Sequence, residues 1–288
     1  MSYKRVAAVT GANKGVGLGI VRNLALSYPS SHLNDGPFLI YLTARDSSRG
    51  EEAIRTLLSD AHLKKAKALS QDGGLTDIKF HPLDISSSES IQAFAGFVKQ
   101  QHPEGIDILI NNAGVAMDGF NMDVVSTTLR CNYWGTLEMT ERFLPMLKQG
   151  GRLVNVSSIA GVLKKYSESR EKEFRAANSV PEMTRIMERF IKGVEAGTHE
   201  QDGFPSAAYA VSKAGLTGVT QIIGREEATK GRGVLVNACC PGWVNTDMTK
   251  GRGTKTIDQG AKTPVMLALG DIGGKSGLYW RDEKVQQW

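Results

Sequence analysis

Arg5-Val6-Ala7-Ala8-Val9-Thr10-Gly11-Ala12-Asn13-Lys14-Gly15-Val16-Gly17 passes from a short apolar run into a glycine-punctuated turn, then into a helical pattern through Ile20, Leu24 and Leu26. A strand that empties directly into a helix leaves unsatisfied N–H groups at the helix start, and glycines let bare backbone approach an anion placed there. This arrangement holds a dinucleotide pyrophosphate after the first strand of a βαβ unit. Gly11, Asn13, Lys14, Gly15, Val16 and Gly17 are therefore candidate cofactor residues. The spacing is not that of a triphosphate loop, because Lys14 precedes Gly15 and no Gly-Lys-Ser/Thr follows. An ordinary tightly packed turn would show the same glycines, so the rest of the chain decides.

Apolar or β-branched runs at residues 5–9, 38–42, 78–81, 106–110, 152–156 and 234–238 alternate with longer amphipathic stretches. The rhythm predicts an α/β fold of the doubly wound, Rossmann type: a parallel sheet covered by helices, with ligands beyond the carboxyl ends of the strands. Periodicity continues from Val6 to Leu278 without linker, low-complexity run or repeat, so residues 1–288 read as one domain. Residues 27–37, SYPSSHLNDGP, are a polar connection expected at the surface.

Between Ser158 and Tyr209 the chain spends far more residues than a strand-to-helix connection needs. Within this stretch Ser179-Val180-Pro181-Glu182 has the form of a capping box, and Met183, Ile186, Met187, Phe190, Ile191 and Val194 follow at helical spacing. A helical insert over about residues 163–203 is expected, its apolar stripe packed on the core.

The net charge of +5 comes from 35 basic and 30 acidic residues spread along the chain. The one dense cluster, Lys64, Lys65 and Lys67, reads as a solvated helix face, and nothing suggests nucleic-acid binding. No apolar run approaches the roughly 18 residues of a membrane span, and a strand pattern starts at once, so no membrane and a cytoplasmic location are expected. Cys131, Cys239 and Cys240 make neither a disulfide framework nor a zinc spacing, and no metal is expected. Asn155-Val156-Ser157 matches a glycosylation sequon by accident, since it lies in an apolar strand pattern.

The second strand exits as Thr43-Ala44-Arg45-Asp46. An acidic side chain at that exit accepts the ribose hydroxyl of NAD, whereas a 2′-phosphate needs positive charge. Arg45, with Lys14 from the turn and Arg49 one helical turn on, forms a cationic cup and implies NADPH, although Asp46 lies beside it. Asp84 and Ile85, at the end of the third strand, can accept from an adenine amino group and pack its ring. Asn112, Ala113 and Gly114, in Asn111-Asn112-Ala113-Gly114 after the fourth, can bridge strand ends and leave room for a ribose. Singly, each is also what a turn would contain.

Tyr209 and Lys213 stand four apart on a predicted helix and share a face. An ammonium beside a phenol stabilises phenolate and draws its pKa from about 10 toward the working range, which makes Tyr209 a candidate general acid for a carbonyl. The pairing gains weight from its order: glycine turn, Asn-Asn-Ala-Gly, a serine pair closing the fifth strand, then Tyr and Lys.

These motifs together resemble the short-chain dehydrogenase/reductase family, and within it the monomeric NADPH-dependent carbonyl reductases. The general likeness rests on Thr10 to Gly17, Asn111 to Gly114, Ser158, Tyr209 to Lys213 and Pro241-Gly242. The subgroup likeness adds Asn13-Lys14, Thr43 to Asp46, Val154 to Ile159, the long insert, Asn237 to Val244 and the ending Val285-Gln286-Gln287-Trp288. Residues 27–37 and 70–76 depart from it, away from the motifs. The resemblance implies that Ser158 hydrogen-bonds the substrate carbonyl, Tyr209 protonates the alkoxide and Lys213 also binds the nicotinamide ribose. Asn132, on a helix predicted over 129–146, would hold a water for proton resupply. Ser157 is the less favoured of the serine pair. Pro241, Gly242, Val244 and Thr246 would line the cofactor, and Trp243 would pack on substrate or on the cofactor loop. Cys240 reads as a buried inert thiol, with a reactive pocket thiol as the alternative.

The expected function is NADPH-dependent reduction of a small-molecule ketone, aldehyde or quinone. The alternatives are an NADP-dependent alcohol or hydroxysteroid dehydrogenase working oxidatively, or a non-catalytic NADPH-binding protein. A monomer is expected, because the insert's stripe would cover the flank that family tetramers use for contact.

Overall fold

The strands are β1 (Arg5–Val9), β2 (Phe38–Ala44), β3 (Thr76–Pro82), β4 (Ile106–Asn111), β5 (Leu147–Val156), β6 (Leu235–Cys240), β7 (Tyr279–Arg281) and β8 (Lys284–Gln286). The helices are α1 (Gly15–Ser27), α2 (Ser47–Ser59), α3 (Ala61–Lys65), α4 (Ser88–Gln101), α5 (Met122–Leu129), α6 (Thr136–Phe143), α7 (Glu168–Ala176), α8 (Val180–Glu195), α9 (Ala208–Ala228) and α10 (Ile257–Leu269). These belong to a computed structural model that describes residues 3–288.

One sheet runs β3-β2-β1-β4-β5-β6-β7-β8, parallel except for the last pair. The chain winds outward from β1 to β3, then returns to β1's other side as β4. The cleft beyond β1 and β4 is thus the topological switch point, where such sheets bind ligands. β2 and β4 are buried along their whole length, as strands covered on both faces must be. Alternate β1 residues feed the two cores: Val6 and Ala8 meet the apolar sides of α4, α5, α8 and α9, while Ala7 and Val9 meet α1, α2 and α10. This is the doubly wound α/β fold that the sequence predicts.

Sequence and structure differ in several places. The hairpin of β7 and β8 has no counterpart among the predicted strands. Each strand is three residues long, and their turn uses Asp282 and Glu283 at φ +51° and +60°, without the glycine that normally marks such a turn. The stretch 27–37 is not simply a surface loop. Tyr28 is buried within it, stacked on Phe38 at 4.3 Å between centroids, and its hydroxyl donates to Gly36 O at 2.8 Å. Lys64, Lys65 and Lys67 are exposed, as expected.

The insert carries two helices where the sequence suggested one. α7 is dominated by charged side chains and presents no apolar stripe to read, though its Phe174 is buried. α8 starts at the expected point, but the capping box does not close. Ser179 makes no side-chain cap, and Glu182 accepts instead from the backbone N–H of Asn178 at 2.8 Å. The stripe is as expected: Met183, Ile186, Met187 and Phe190 are buried, with Ile191 and Val194 at its margin. It lies on α9, where Gly215 and Gly218 make room. A Cβ at Gly215 would strike Met187, and one at Gly218 would strike Met183 and the Trp288 ring.

Candidate active site

The floor of the cleft is the junction of β1 with β4. Thr10 Oγ1 accepts from the backbone N–H groups of Asn112 and Ala113, both at 3.0 Å, while Asn112 Nδ2 donates to the carbonyls of Thr10 and Gly11, both at 3.0 Å. The two strand ends are so close that a Cβ on Gly11, at φ +60°, would lie 2.7 Å from Ala113 Cα, and one on Gly17 would lie 2.5 Å from Asn112 Nδ2. Lys14 occupies the N-cap of α1 without a side-chain cap, so the first N–H groups of that helix remain available to an anion. Asn13 and Val16 lie within the same turn and first helical turn. Across the cleft, Pro241 and Gly242, at φ +87°, carry the chain out of β6. Thr246 then meets the glycine turn, where a Cβ on Gly15 would lie 3.3 Å from Thr246 Cγ2. Val244 instead turns inward, buried against Gly260 of α10.

The cationic cup contains an acid that sequence reasoning missed. Lys14 Nζ pairs with Asp247 Oδ2 at 2.6 Å, and Lys14 and Arg49 both hold the Asp247 carboxyl below its ordinary pKa. Asp46 caps α2 by accepting from Arg49 N at 2.9 Å, with the Arg49 guanidinium 3.9 Å away. Arg45 is exposed and, among the described residues, forms no ion pair. Asp84 and Ile85 lie just past β3 rather than at its end. Asp84 Oδ1 is taken by Ser86 N and Oγ at 2.9 and 2.6 Å, and the Ile85 side chain is buried, its carbonyl packed on Gly135.

Ser158, Tyr209, Lys213 and Asn132 come together beyond β5. Ser158 opens a short turn, Ile159–Gly161, and its Oγ accepts from Ala160 N at 3.1 Å. Burial pushes the Tyr209 phenol up to about 12, while the adjacent Ser158 hydroxyl works in the opposite direction. Lys213 is 4% exposed and its ammonium donates to Val156 O at 2.8 Å. Burial pulls its pKa down to about 8, with the Cys131, Cys239 and Cys240 sulfurs opposing that shift. The expectation that Lys213 brings the phenol toward neutrality is not met here. Its ammonium is committed to Val156 and lies 5.7 Å from the Tyr209 ring centroid, and desolvation dominates both groups.

Asn132 lies in a π-helical segment, Arg130–Gly135, between α5 and α6, rather than in a regular helix. Such bulges re-aim side chains within a helix. Its side chain brackets Val115, accepting from N at 2.8 Å and donating to O at 2.9 Å, and also donates to Ser212 Oγ at 3.0 Å. Gly114 lies between Asn132 and Lys213. Ser157, by contrast, faces away from the cleft, bonded to Lys213 O at 3.1 Å and Thr217 Oγ1 at 2.6 Å. Cys240 is buried, and its sulfur accepts from Ile159 N and Gly242 N, tying the exits of β5 and β6 together.

Two further features appear only in the folded chain, although Trp243 is among the expected substrate residues. Trp288 Nε1 donates to Gly161 O at 3.1 Å, bracing the turn that Ser158 opens from a position 127 residues downstream. Met117 after β4, Ile159 after β5, and Trp243 and Met248 after β6 are exposed apolar side chains on the loops at the carboxyl ends of the strands. They are not periodic in sequence, so only the topology shows that their loops share one end of the sheet.

The short chain dehydrogenase family matches residues 45–170 and 194–256, interrupted within the insert. Carbonyl reductase (NADPH) 3 of Rattus norvegicus is 38% identical, with 100% of this chain and 99% of that protein covered. Carbonyl reductase (NADPH) 1 of Homo sapiens is 38% identical over 98% of each. Among solved structures, salutaridine reductase from Papaver somniferum superposes with a TM-score of 0.80 at 28% identity, covering 96% of this chain and 99% of its own. Menthone neomenthol reductase from Mentha piperita gives 0.76 at 26%, covering 97% and 99%.

The burial of Lys213 generates a stability prediction. A lysine whose folded pKa lies below its unfolded value destabilises the fold at neutral pH, and that penalty is relieved as pH rises from about 8 to about 10.5. Lys213→Met is expected to raise the unfolding free energy at pH 7 by about 1–3 kcal/mol, with the gap to the parent protein narrowing across that window. Urea unfolding of both proteins at pH 7 and pH 9.5 checks this, and a gap independent of pH contradicts it.

Proposed function

From the premise that this chain belongs to the short-chain dehydrogenase family, we propose that it reduces the carbonyl group of an apolar small molecule with NADPH, Tyr209 donating the proton. The observation that carries the reading is the meeting of a protonated phenol, a serine hydroxyl and a buried ammonium at one strand end. Family members and the reductases it superposes on support the same activity.

The cleft suits the cofactor. Gly11, Gly15 and Gly17 admit close backbone approach, the uncapped start of α1 suits a pyrophosphate, and Arg45, Lys14 and Arg49 supply positive charge for a 2′-phosphate. Asp84 Oδ2, free of the Ser86 turn, would receive the adenine amino group. Asn112, Ala113 and Gly114 with Pro241, Gly242, Val244 and Thr246 would form the walls. When bound, NADPH supplies the hydride.

The chain's own groups handle the proton. Ser158 Oγ would orient the carbonyl oxygen, and the Tyr209 hydroxyl would protonate that oxygen as negative charge develops on it. A phenol held protonated is the form that donates to a developing alkoxide. Lys213 would keep positive charge beside the site, and Asn132, by fixing Val115, would shape the route between Lys213 and solvent. Trp243, with Met117, Ile159 and Met248, offers apolar surface to the substrate. No helix among the described residues is long and apolar enough to cross a membrane, which fits a cytoplasmic enzyme. The apolar stripe of α8 is covered by α9 of the same chain, which supports a monomer.

Three measurements test the reading. NADPH oxidation assayed against ketones, aldehydes and quinones should find turnover, and Tyr209→Phe should cut it by about 100-fold or more while NADPH binding stays near normal. Arg45→Asp should weaken NADPH far more than NADH, because a charge-assisted contact becomes a repulsion, and equal losses would refute the cationic cup. Light scattering should give a mass near 31.2 kDa, whereas a dimer or tetramer would refute the monomer.

A further inference from the structure

We infer that Asp247 is an internal competitor of the cofactor's 2′-phosphate for Lys14 and Arg49, and so sets the affinity for the phosphorylated cofactor. This rests on the reading that NADPH binds in the cleft.

Asp247 belongs to the turn after Thr246, and its carboxylate sits against Lys14 at 2.6 Å. Arg49, from the start of α2, also acts on the same carboxylate. The acid is therefore paired with one of the three cations assigned to the 2′-phosphate and lies within the field of a second. A phosphate and a carboxylate seek the same partners, because each is an anionic acceptor for charge-assisted hydrogen bonds. A phosphate that recruits Lys14 must draw it from Asp247. The competition applies only to a cofactor that carries the phosphate. NADH offers Lys14 no such anion and leaves the ion pair in place.

The position of Asp247 also gives the competition a structural consequence. The same turn is held at its far end by Lys250, which pairs with Asp118 at 2.8 Å on the loop that follows β4. The turn thus bridges the cleft between two ion pairs, with Thr246 resting on the glycine turn at Gly15. Exchange of Lys14 from Asp247 to phosphate would free one of these tethers and leave the other. Arg45 is not tied to Asp247 and remains the cation that favours NADPH over NADH whether or not the exchange occurs.

All three charged groups are at the surface, where one ion pair contributes little, so the effect is modest in size and clear in sign. Asp247→Asn is expected to tighten NADPH binding by about two- to fivefold, the range of one exposed ion pair, and to leave NADH within experimental error. Dissociation constants come from nicotinamide fluorescence titrations of the full chain with each cofactor, at low and at high salt. Added salt should shrink the gain. In a Lys14→Met, Arg49→Met background the same substitution should give no gain, since the cations through which Asp247 competes are gone. Weaker NADPH binding by Asp247→Asn, an equal shift for NADH, or a gain that survives removal of both cations would each overturn the inference. If the parent protein binds NADPH better than NADH but Asp247→Asn changes nothing, the inference falls alone. If the parent prefers NADH, the cofactor assignment falls and the inference with it.

Discussion

The burial of one ammonium without a carboxylate partner is the constraint around which this active-site region is arranged. Lys213 is 4% exposed and answered by a single backbone carbonyl, that of Val156. An isolated buried charge is unfavourable, and its surroundings must be held firmly to keep it. The chain does this by bringing backbone very close. A Cβ on Gly161 would lie 2.6 Å from the Lys213 carbonyl carbon, and one on Gly114 would lie 3.1 Å from Asn132 Oδ1 and 3.5 Å from the ammonium. The loops after β4 and β5 therefore close on Lys213 from two sides, each with a glycine where a side chain would force them away.

A second set of bonds keeps those loops in register. Asn111 at the end of β4 donates to Asn155 in β5 at 2.9 Å, and Asn155 donates to Thr220 in α9 at 2.8 Å, all within the buried interior. Ser157 fastens the next step of β5 to the backbone of Lys213 and to Thr217. The strand that presents Ser158 and the helix that presents Tyr209 are thus joined by buried polar bonds, which have strict geometry and are expensive to leave unmade. Trp288 adds a brace from outside by holding Gly161 O, and the methionines of α8 press α9 against the sheet. The insert's contribution to the site is consequently mechanical.

Much of this was legible in the sequence wherever a feature was local and periodic. Six strands could be read from apolar runs, α8 from its stripe, and the Tyr209–Lys213 pair from helical spacing, because each signal lies within a few residues. What escaped reading depended on distant partners or on geometry without a compositional mark. β7 and β8 are too short to show alternation and turn on Asp282-Glu283 instead of a glycine. Nothing local in the sequence ties Asp247 to Lys14, 233 residues away, and only folding brings them to 2.6 Å. The pKa argument for Tyr209 rested on Lys213, whose ammonium is bonded to Val156 O instead. Spacing of four says that two groups share a helix face, but it carries no information on how deeply both are buried. Burial here outweighs their mutual influence. Ser179 failed as a cap for a similar reason: the motif fits, but Glu182 reached Asn178 instead.

The two ends of the cleft differ in kind, and the difference bears on what can enter. Toward β2 the rim is Arg45, Asp46, Arg49, Lys14 and Asp247, charged and exposed, suited to a cofactor whose far end carries phosphate. Beyond β4, β5 and β6 it is Met117, Ile159, Trp243 and Met248, exposed and apolar. Ser158 and Tyr209 lie where those apolar loops begin. A substrate that reaches them must shed water along an apolar surface and then find only a few hydrogen-bonding groups, among them the serine hydroxyl and a protonated phenol. Such a site would suit a carbonyl oxygen on an otherwise apolar body, because a strongly polar or charged molecule would lose more hydration than these groups return. Met117, Trp243 and Met248 are carried on loops rather than on strands, so the shape of that surface can adjust while the Ser158, Tyr209 and Lys213 geometry beneath it stays fixed.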